Sequence, residues 1–218
     1  MYTELHARSA FSFLEGASLP EELVEVCAQQ GMSSMALLDR DGVYGSARFH
    51  LAAKKIGLKA LIGSDVSLPE GSLPLLVASR PGYQNLCRLV TQMKLRAPKN
   101  TPSSTCPEEL AQYSQGLICL TGGHDGPLAH SLDTGGMPAA RRALEQLVTT
   151  FGRENVYVEL QRHYDRAEEA RNQAAIELAR SLKLPLVAAN GVHHARPEQR
   201  QIADVFTCIR NHRSLATA

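Results

Sequence analysis

Short apolar runs of β type alternate with longer segments in which apolar residues recur every three to four positions, and the alternation repeats seven times along the chain. The runs fall at residues 2–5, 35–38, 59–62, 73–78, 116–120, 155–160 and 185–189. Strand followed by helix, repeated, predicts βα units and a largely parallel α/β sheet, because a parallel pair needs a crossover long enough to hold a helix.

Ser18 is expected to cap the first helix, with Pro20, Glu21 and Glu22 in its first turn, Leu23, Val26 and Cys27 on one face, and Gly31 ending it. A second helix over 46–56 stops at Gly57; a third starts near Tyr83 and carries Leu86, Leu89, Val90 and Met93. A short helix is predicted at 107–113, longer ones at 138–150 and 167–182, and a last one at 197–209. Residues 96–106, rich in Pro, Ser and Thr, and the Gly-rich stretch 122–136 are predicted loops. The same rhythm and composition resume after both, so residues 1–218 are expected to form a single domain.

With 218 residues, 44% hydrophobic and 21% charged, the chain has enough apolar material for a packed core, which excludes collagen-like, low-complexity and disordered classes. Lys+Arg 23 against Asp+Glu 22 leaves a formal charge of +1, so any contact with DNA has to be local. Aromatics are 5% and Trp is absent, which leaves little material for a base-stacking platform. The N-terminus lacks a basic region followed by an apolar run, and no stretch approaches the roughly 20 apolar residues of a membrane span. A cytoplasmic protein with no membrane partner is expected. Cys27, Cys87, Cys106, Cys119 and Cys208 are odd in number, widely spaced and without a CxxC, which predicts reduced thiols; Cys27, Cys87 and Cys208 fall on helix faces expected to be buried.

In parallel α/β folds the residues after the strand C-termini converge on one face. Here those positions are His6 and Arg8, Asp39-Arg40-Asp41-Gly42, Ser64-Asp65, Gly122-Gly123-His124-Asp125, Arg162-His163 and Asn190-Gly191-Val192-His193-His194. Imidazoles and carboxylates at so many strand ends suit a divalent ion such as zinc or manganese. His6, Asp39, Asp65, His163 and His193 are the candidate ligands, each with an ordinary alternative as a core, turn or loop residue. His124 stays open; His50, His130 and His212 fall away from strand ends and receive no role. The Gly-rich stretch fits neither GxxxxGK[ST] nor GxGxxG, and no GxSxG supports a serine nucleophile, so nucleotide-loop and covalent-catalysis readings are set aside.

Leu5-His6-Ala7-Arg8-Ser9, Phe11-Ser12-Phe13-Leu14-Glu15-Gly16-Ala17-Ser18, Ala36-Leu37-Leu38-Asp39, Gly42-Val43-Tyr44-Gly45 and Ile62-Gly63-Ser64-Asp65 together resemble the opening of a bacterial DNA polymerase III α-type chain, its PHP (polymerase and histidinol phosphatase) domain. Later matches are Tyr157-Val158-Glu159-Leu160-Gln161-Arg162-His163, Leu186-Val187-Ala188-Ala189-Asn190-Gly191-Val192-His193 and Asp204-Val205-Phe206-Thr207-Cys208-Ile209-Arg210. The similarity covers nearly the whole chain, and the Glu-Leu-His, Phe-Ser-Phe-Leu-Glu-Gly-Ala-Ser and Glu-Leu-Gln-Arg-His runs are most like the error-prone branch.

That resemblance implies a distorted seven-stranded (β/α)7 barrel. It also implies an N-terminal fragment of a much longer polymerase, with the stop at Leu215-Ala216-Thr217-Ala218 after a helix read as an excision point. The nucleotidyltransferase centre, the palm and thumb, the magnesium that serves the palm, and DNA itself would belong to the rest of that chain, with other translesion or replication proteins as further partners. Active PHP domains hold up to three metals and cleave phosphoesters, some as 3′–5′ proofreading exonucleases. This chain keeps only part of the motif: His6, Asp39, Asp65, His163 and His193 match, while Arg8, Arg40 and Gly191 stand where two His and an Asp are expected. At an effective dielectric near 20, each guanidinium close to a metal repels it by roughly 4 kcal/mol per unit-charge pair. The expectation is a degenerate, catalytically inert site without a complete metal cluster, holding at most one residual zinc or manganese ion, in which the guanidinium groups pair with Asp39, Asp41 or Asp65. The alternative is an active metal-dependent phosphoesterase or 3′–5′ exonuclease.

Overall fold

A computed structural model describes residues 2–99 and 101–216; Met1, Asn100, Thr217 and Ala218, and with them part of the stop noted above, lie outside the described residues. Strands β1 (Glu4–Ala7), β2 (Ser34–Arg40), β3 (Lys59–Ser67), β4 (Ser72–Val77), β5 (Leu117–Leu120), β6 (Val156–Leu160) and β7 (Leu186–Ala188) neighbour one another in chain order. Between and after them run α1 (Pro20–Gln29), α2 (Ser46–Ile56), α3 (Arg80–Arg96), α4 (Pro107–Tyr113), α5 (Pro127–Phe151), α6 (Arg166–Leu182) and α7 (Arg200–Arg210). The ends of the sheet meet where Ala7 bridges Val192: the Arg8 amide donates to the Val192 carbonyl at 2.9 Å, and the Val192 amide to the His6 carbonyl at 2.8 Å. The result is the expected α/β barrel of seven strands, nearly closed and distorted.

The distortion has an identifiable source. β4 runs antiparallel to both β3 and β5, whereas the other strand pairs are parallel. The four residues 68–71 between β3 and β4 cannot hold a crossover helix and turn the chain back as a hairpin, with Gly71 at φ 97°. Two hydrophobic layers lie outside the strands, one around Leu75, Leu86, Leu117, Leu144 and Val158, the other around Leu23, Leu37 and Phe49. The third layer is the barrel interior, since Leu5, Ala36, Leu38, Leu61, Leu76, Leu120, Tyr157 and Val187 draw on all seven strands. Each fully buried Leu of these layers contributes about 1.5–3 kcal/mol.

Several predicted boundaries are corrected. β1 begins two residues later than the first apolar run, so His6 lies inside the strand. Ser18 does not cap α1; Leu19 holds that position, and the Ser18 hydroxyl donates to Gln199 Oε1 at 2.5 Å and accepts from the Ala195 amide at 2.7 Å. α3 starts at Arg80, where the Ser79 hydroxyl accepts from the Gly82 amide. The predicted loop at 122–136 is helical from Pro127, and α5 bends at Gly136, whose φ of 62° and ψ of −162° are non-helical. Cys87 is only half-buried, while Cys27 and Cys208 are buried; all five cysteines are free thiols. Among the described residues, no helix is long and apolar enough to cross a membrane.

Candidate functional site at the barrel mouth

Strand alternation decides which side chains reach the mouth. Side chains two apart share a face, so β2 carries Ala36, Leu38 and Arg40 inward, β3 carries Leu61, Gly63 and Asp65, and β6 carries Tyr157, Glu159 and, just past its end, Gln161. In β1 a bulge sets the four residues Glu4–Ala7 against three on β2, which breaks the alternation. Leu5, His6 and Arg8 therefore all point into the barrel, while Ala7 packs outward with Leu23 and Phe49. Apolar residues fill the lower barrel, and the charged ones lie above them.

The charges form a network. Arg8 Nη2 donates to Asp65 Oδ2 and lies 3.4 Å from Asp125 Oδ2, and its Nη1 is 3.3 Å from Glu15 Oε2. Arg40 engages the same three carboxylates, through Nη1 to Asp65 at 3.3 Å, Nε to Glu15 at 3.2 Å and Nη2 to Asp125 at 3.2 Å. Beneath them the His6 ring bonds Glu159 through Nδ1 at 2.8 Å, and its Nε2 is 3.8 Å from Asp65 Oδ2. For His6, Arg40, Asp65 and Asp125 burial opposes ionisation, but the neighbouring charges outweigh it. Glu159 and Asp65 hold His6 up to about 10, and Arg8, His6 and Arg40 hold Asp65 well below the usual carboxylate range. Above the network opens a cleft of about 770 Å³ whose rim includes Asp41, His124, His193, Arg200 and Arg210.

The sequence-predicted residues divide into two groups. His6 and Asp65 belong to the network, and His193 lines the cleft, where burial and then the Arg8 charge lower it to about 4. Asp39 lies on the opposite face of β2 from Arg40. Its Oδ1 accepts from the Ser9 amide, the Ser9 hydroxyl and the Ser12 hydroxyl, and its Oδ2 from the Gly45 amide, all within 2.8–2.9 Å. It organises the loops after β1 and β2 and has no oxygen facing the cluster. His163 is more than half exposed and ties Glu168 to the Asn190 carbonyl, both at 2.8 Å, outside the barrel mouth. Of the three carboxylates expected to take the guanidinium groups, Asp65 does; Asp39 is held by hydroxyl and amide donors, and Asp41 accepts from the Ser67 amide and hydroxyl.

Glu159, Glu15 and Gln161 were not among the predicted site residues. Glu159 carried a usable signal, a carboxylate between Val158 and Leu160 in an otherwise apolar strand, which in a barrel has to face inward and find a partner. Glu15 sits in an irregular loop and had no periodic signal. Gln161 donates from Nε2 to Glu159 Oε1 at 2.7 Å.

A metal cluster does not fit these residues. The carboxylate best placed to hold one, Asp65, carries two guanidinium groups, and its neighbour His6 is turned by Nδ1 onto Glu159. Asp65 Oδ1 and Glu159 Oε2 are buried without hydrogen-bond partners. Among the described residues no group of three or more His, Cys, Asp or Glu is placed to hold a metal ion.

Residues 4–163 match the PHP domain family. Over 229 residues the chain is 37% identical to error-prone DNA polymerases of Mycolicibacterium paratuberculosis and Mycobacterium tuberculosis, an alignment that takes in 100% of this chain and 21% of each relative. The error-prone DNA polymerase of Anaeromyxobacter dehalogenans is 38% identical over 225 residues, covering 96% of this chain and 18% of its own. The chain thus spans about a fifth of the length of the curated relatives it matches. Among solved structures, a Bifidobacterium adolescentis protein described as a metal-dependent phosphoesterase superposes with a TM-score of 0.61 at 13% identity, covering 94% of this chain and 96% of that one. An amidohydrolase from Chromobacterium violaceum, solved with bound sulfate and no metal, gives 0.59 at 13% identity, covering 91% and 89%. At such identity the likeness is one of fold.

Proposed function

Because this chain belongs to the PHP domain family and is homologous to the N-terminal region of error-prone DNA polymerases, we propose that it is a catalytically inert PHP module of such a polymerase, a structural remnant of a metal-dependent phosphoesterase. One observation carries the reading: two guanidinium groups occupy Asp65, where a metal cluster would need a free carboxylate. Positive side chains in place of metal ions keep the buried carboxylates neutralised, so the barrel is held together while the hydrolytic chemistry is lost.

In this reading residues 1–218 form one domain of a longer cytoplasmic polymerase. DNA, the magnesium of the palm and other translesion or repair partners are engaged by the remainder of the protein. His6, Asp65 and His193 are vestigial ligands at the mouth, Asp39 and His163 are retained for loop structure, and Arg8, Arg40 and Gly191 are the substituted positions.

Elemental analysis of the protein purified without chelator, paired with cleavage of a 3′-labelled primer in added manganese or zinc, tests the proposal. The expected result is substoichiometric metal, no cleavage and a melting temperature unmoved by EDTA. Stoichiometric metal with cleavage would overturn it and return the domain to the phosphoesterase or 3′–5′ exonuclease class.

A further inference from the structure

Gly123 and Gly191 stand on either side of the Gln161 amide. A Cβ at Gly123 would lie 2.5 Å from Gln161 Oε1, and one at Gly191 would lie 2.8 Å from its Nε2. Gly191 also has φ 60°, a conformation that strains any other residue. The buried amide therefore sits in a slot between the loops after β5 and β7, and the walls of that slot carry no side chains. Its Nε2 holds Glu159 Oε1 at 2.7 Å, and Asn172 Nδ2 holds the Gln161 carbonyl at 2.7 Å. On the side facing Gly122, Gly123 and Glu159 a cavity of about 30 Å³ lies beside it, room for a water molecule.

We propose that Gln161 is a third residue closing this site to metal ions, acting with Arg8 and Arg40, and that Gly123 and Gly191 form its seat. The inference rests on the metal-free reading above and deepens it: the site has been filled as well as stripped of ligands. The arginines take Asp65; Gln161 takes Glu159 and the space between two loops. Asp65 Oδ1 and Glu159 Oε2 are still without hydrogen-bond partners, both buried. Positive charge keeps a cation from Asp65, and an occupied volume keeps one from Glu159. Exchanging the two arginines alone removes only the first obstacle. A side chain introduced at position 191 has to displace the Gln161 amide and bear a φ of 60°.

Cobalt(II) titration, followed by its visible absorption, on the unmodified protein, the Arg8→His/Arg40→His variant and the same variant with Gln161→Ala separates these contributions. The variant lacking Gln161 is expected to bind roughly tenfold or more tightly than the double variant, the range by which residues around a metal site alter affinity. Equal affinities in the double and triple variants, or no binding by a folded triple variant, would overturn the role of Gln161. Stoichiometric cobalt on the unmodified protein would instead overturn the metal-free reading beneath it.

A second measurement leaves the arginines in place. Gly123→Ala alone is expected to lower the melting temperature by about 2–4 °C, and by less than half as much when combined with Gln161→Ala. Equal losses in the two backgrounds would show that Gln161 does not fill the slot.

Discussion

Four donors converge on the two oxygens of Asp39, and each is a backbone amide or a serine hydroxyl. An amide in place of either oxygen would turn an N–H toward one of them. Asp39→Asn should therefore destabilise the protein by about 2–4 kcal/mol, read as a lower urea midpoint at unchanged slope. His193 makes a pH prediction. Burial and the neighbouring Arg8 hold it near 4 in the folded protein, below its ordinary 6.5, so the unfolded chain binds more protons between those values. Its contribution is present above pH 6.5 and is lost as pH falls toward 4, a loss of about 2 kcal/mol between pH 7 and 4.5. Urea titrations at several pH values check this, and His193→Asn, which keeps a donor to the Glu15 carbonyl, should flatten the slope. These two residues also mark how far the site was legible. The expected strand ends drew attention to Asp65 and His6, which lie inside β3 and β1, but parity along β2 separates Asp39 from Arg40. Parity becomes readable only once the strand's facing side is known.

At the scale of elements, the seven strands and the paths of α2, α4 and α6 follow from periodicity and punctuation alone, because each has a clean apolar face and a Gly, Pro or Asp at an end. β4 and α5 do not. The apolar run of β3 ends at Ile62, while its hydrogen-bonded ladder continues through Gly63, Ser64 and Asp65 to Ser67, so the gap before β4 looks long enough for a crossover when it is a hairpin. Charged mouth residues inside a strand erase the hydrophobic signal that would have extended it. α5 is hidden by Gly135-Gly136, which read as loop although only Gly136 leaves helical geometry. Its backbone lies in a region nearly reserved for glycine, so Gly136→Ala should cost about 1–3 kcal/mol. Calorimetry would show a lower melting temperature, and a loss no larger than that of an ordinary exposed-helix Gly→Ala change would argue against the bend.

On the scale of the whole molecule, the barrel is a ring whose joints differ in strength. β2 and β3 pair over seven consecutive positions, from Ser34 with Lys59 to Arg40 with Asp65. The closing contact between β1 and the segment after β7 rests on the Ala7–Val192 bridge and its two backbone hydrogen bonds. A ring opens at its shortest joint, and local opening free energies follow how much structure must part. In hydrogen–deuterium exchange the amides of Arg8 and Val192 should label well before those of Leu37 and Leu38 in β2, and equal protection at all four would contradict this. Because Arg8 and His6 flank that joint, its opening is also the route by which deuterons, and any solute small enough to follow them, first reach the buried charges.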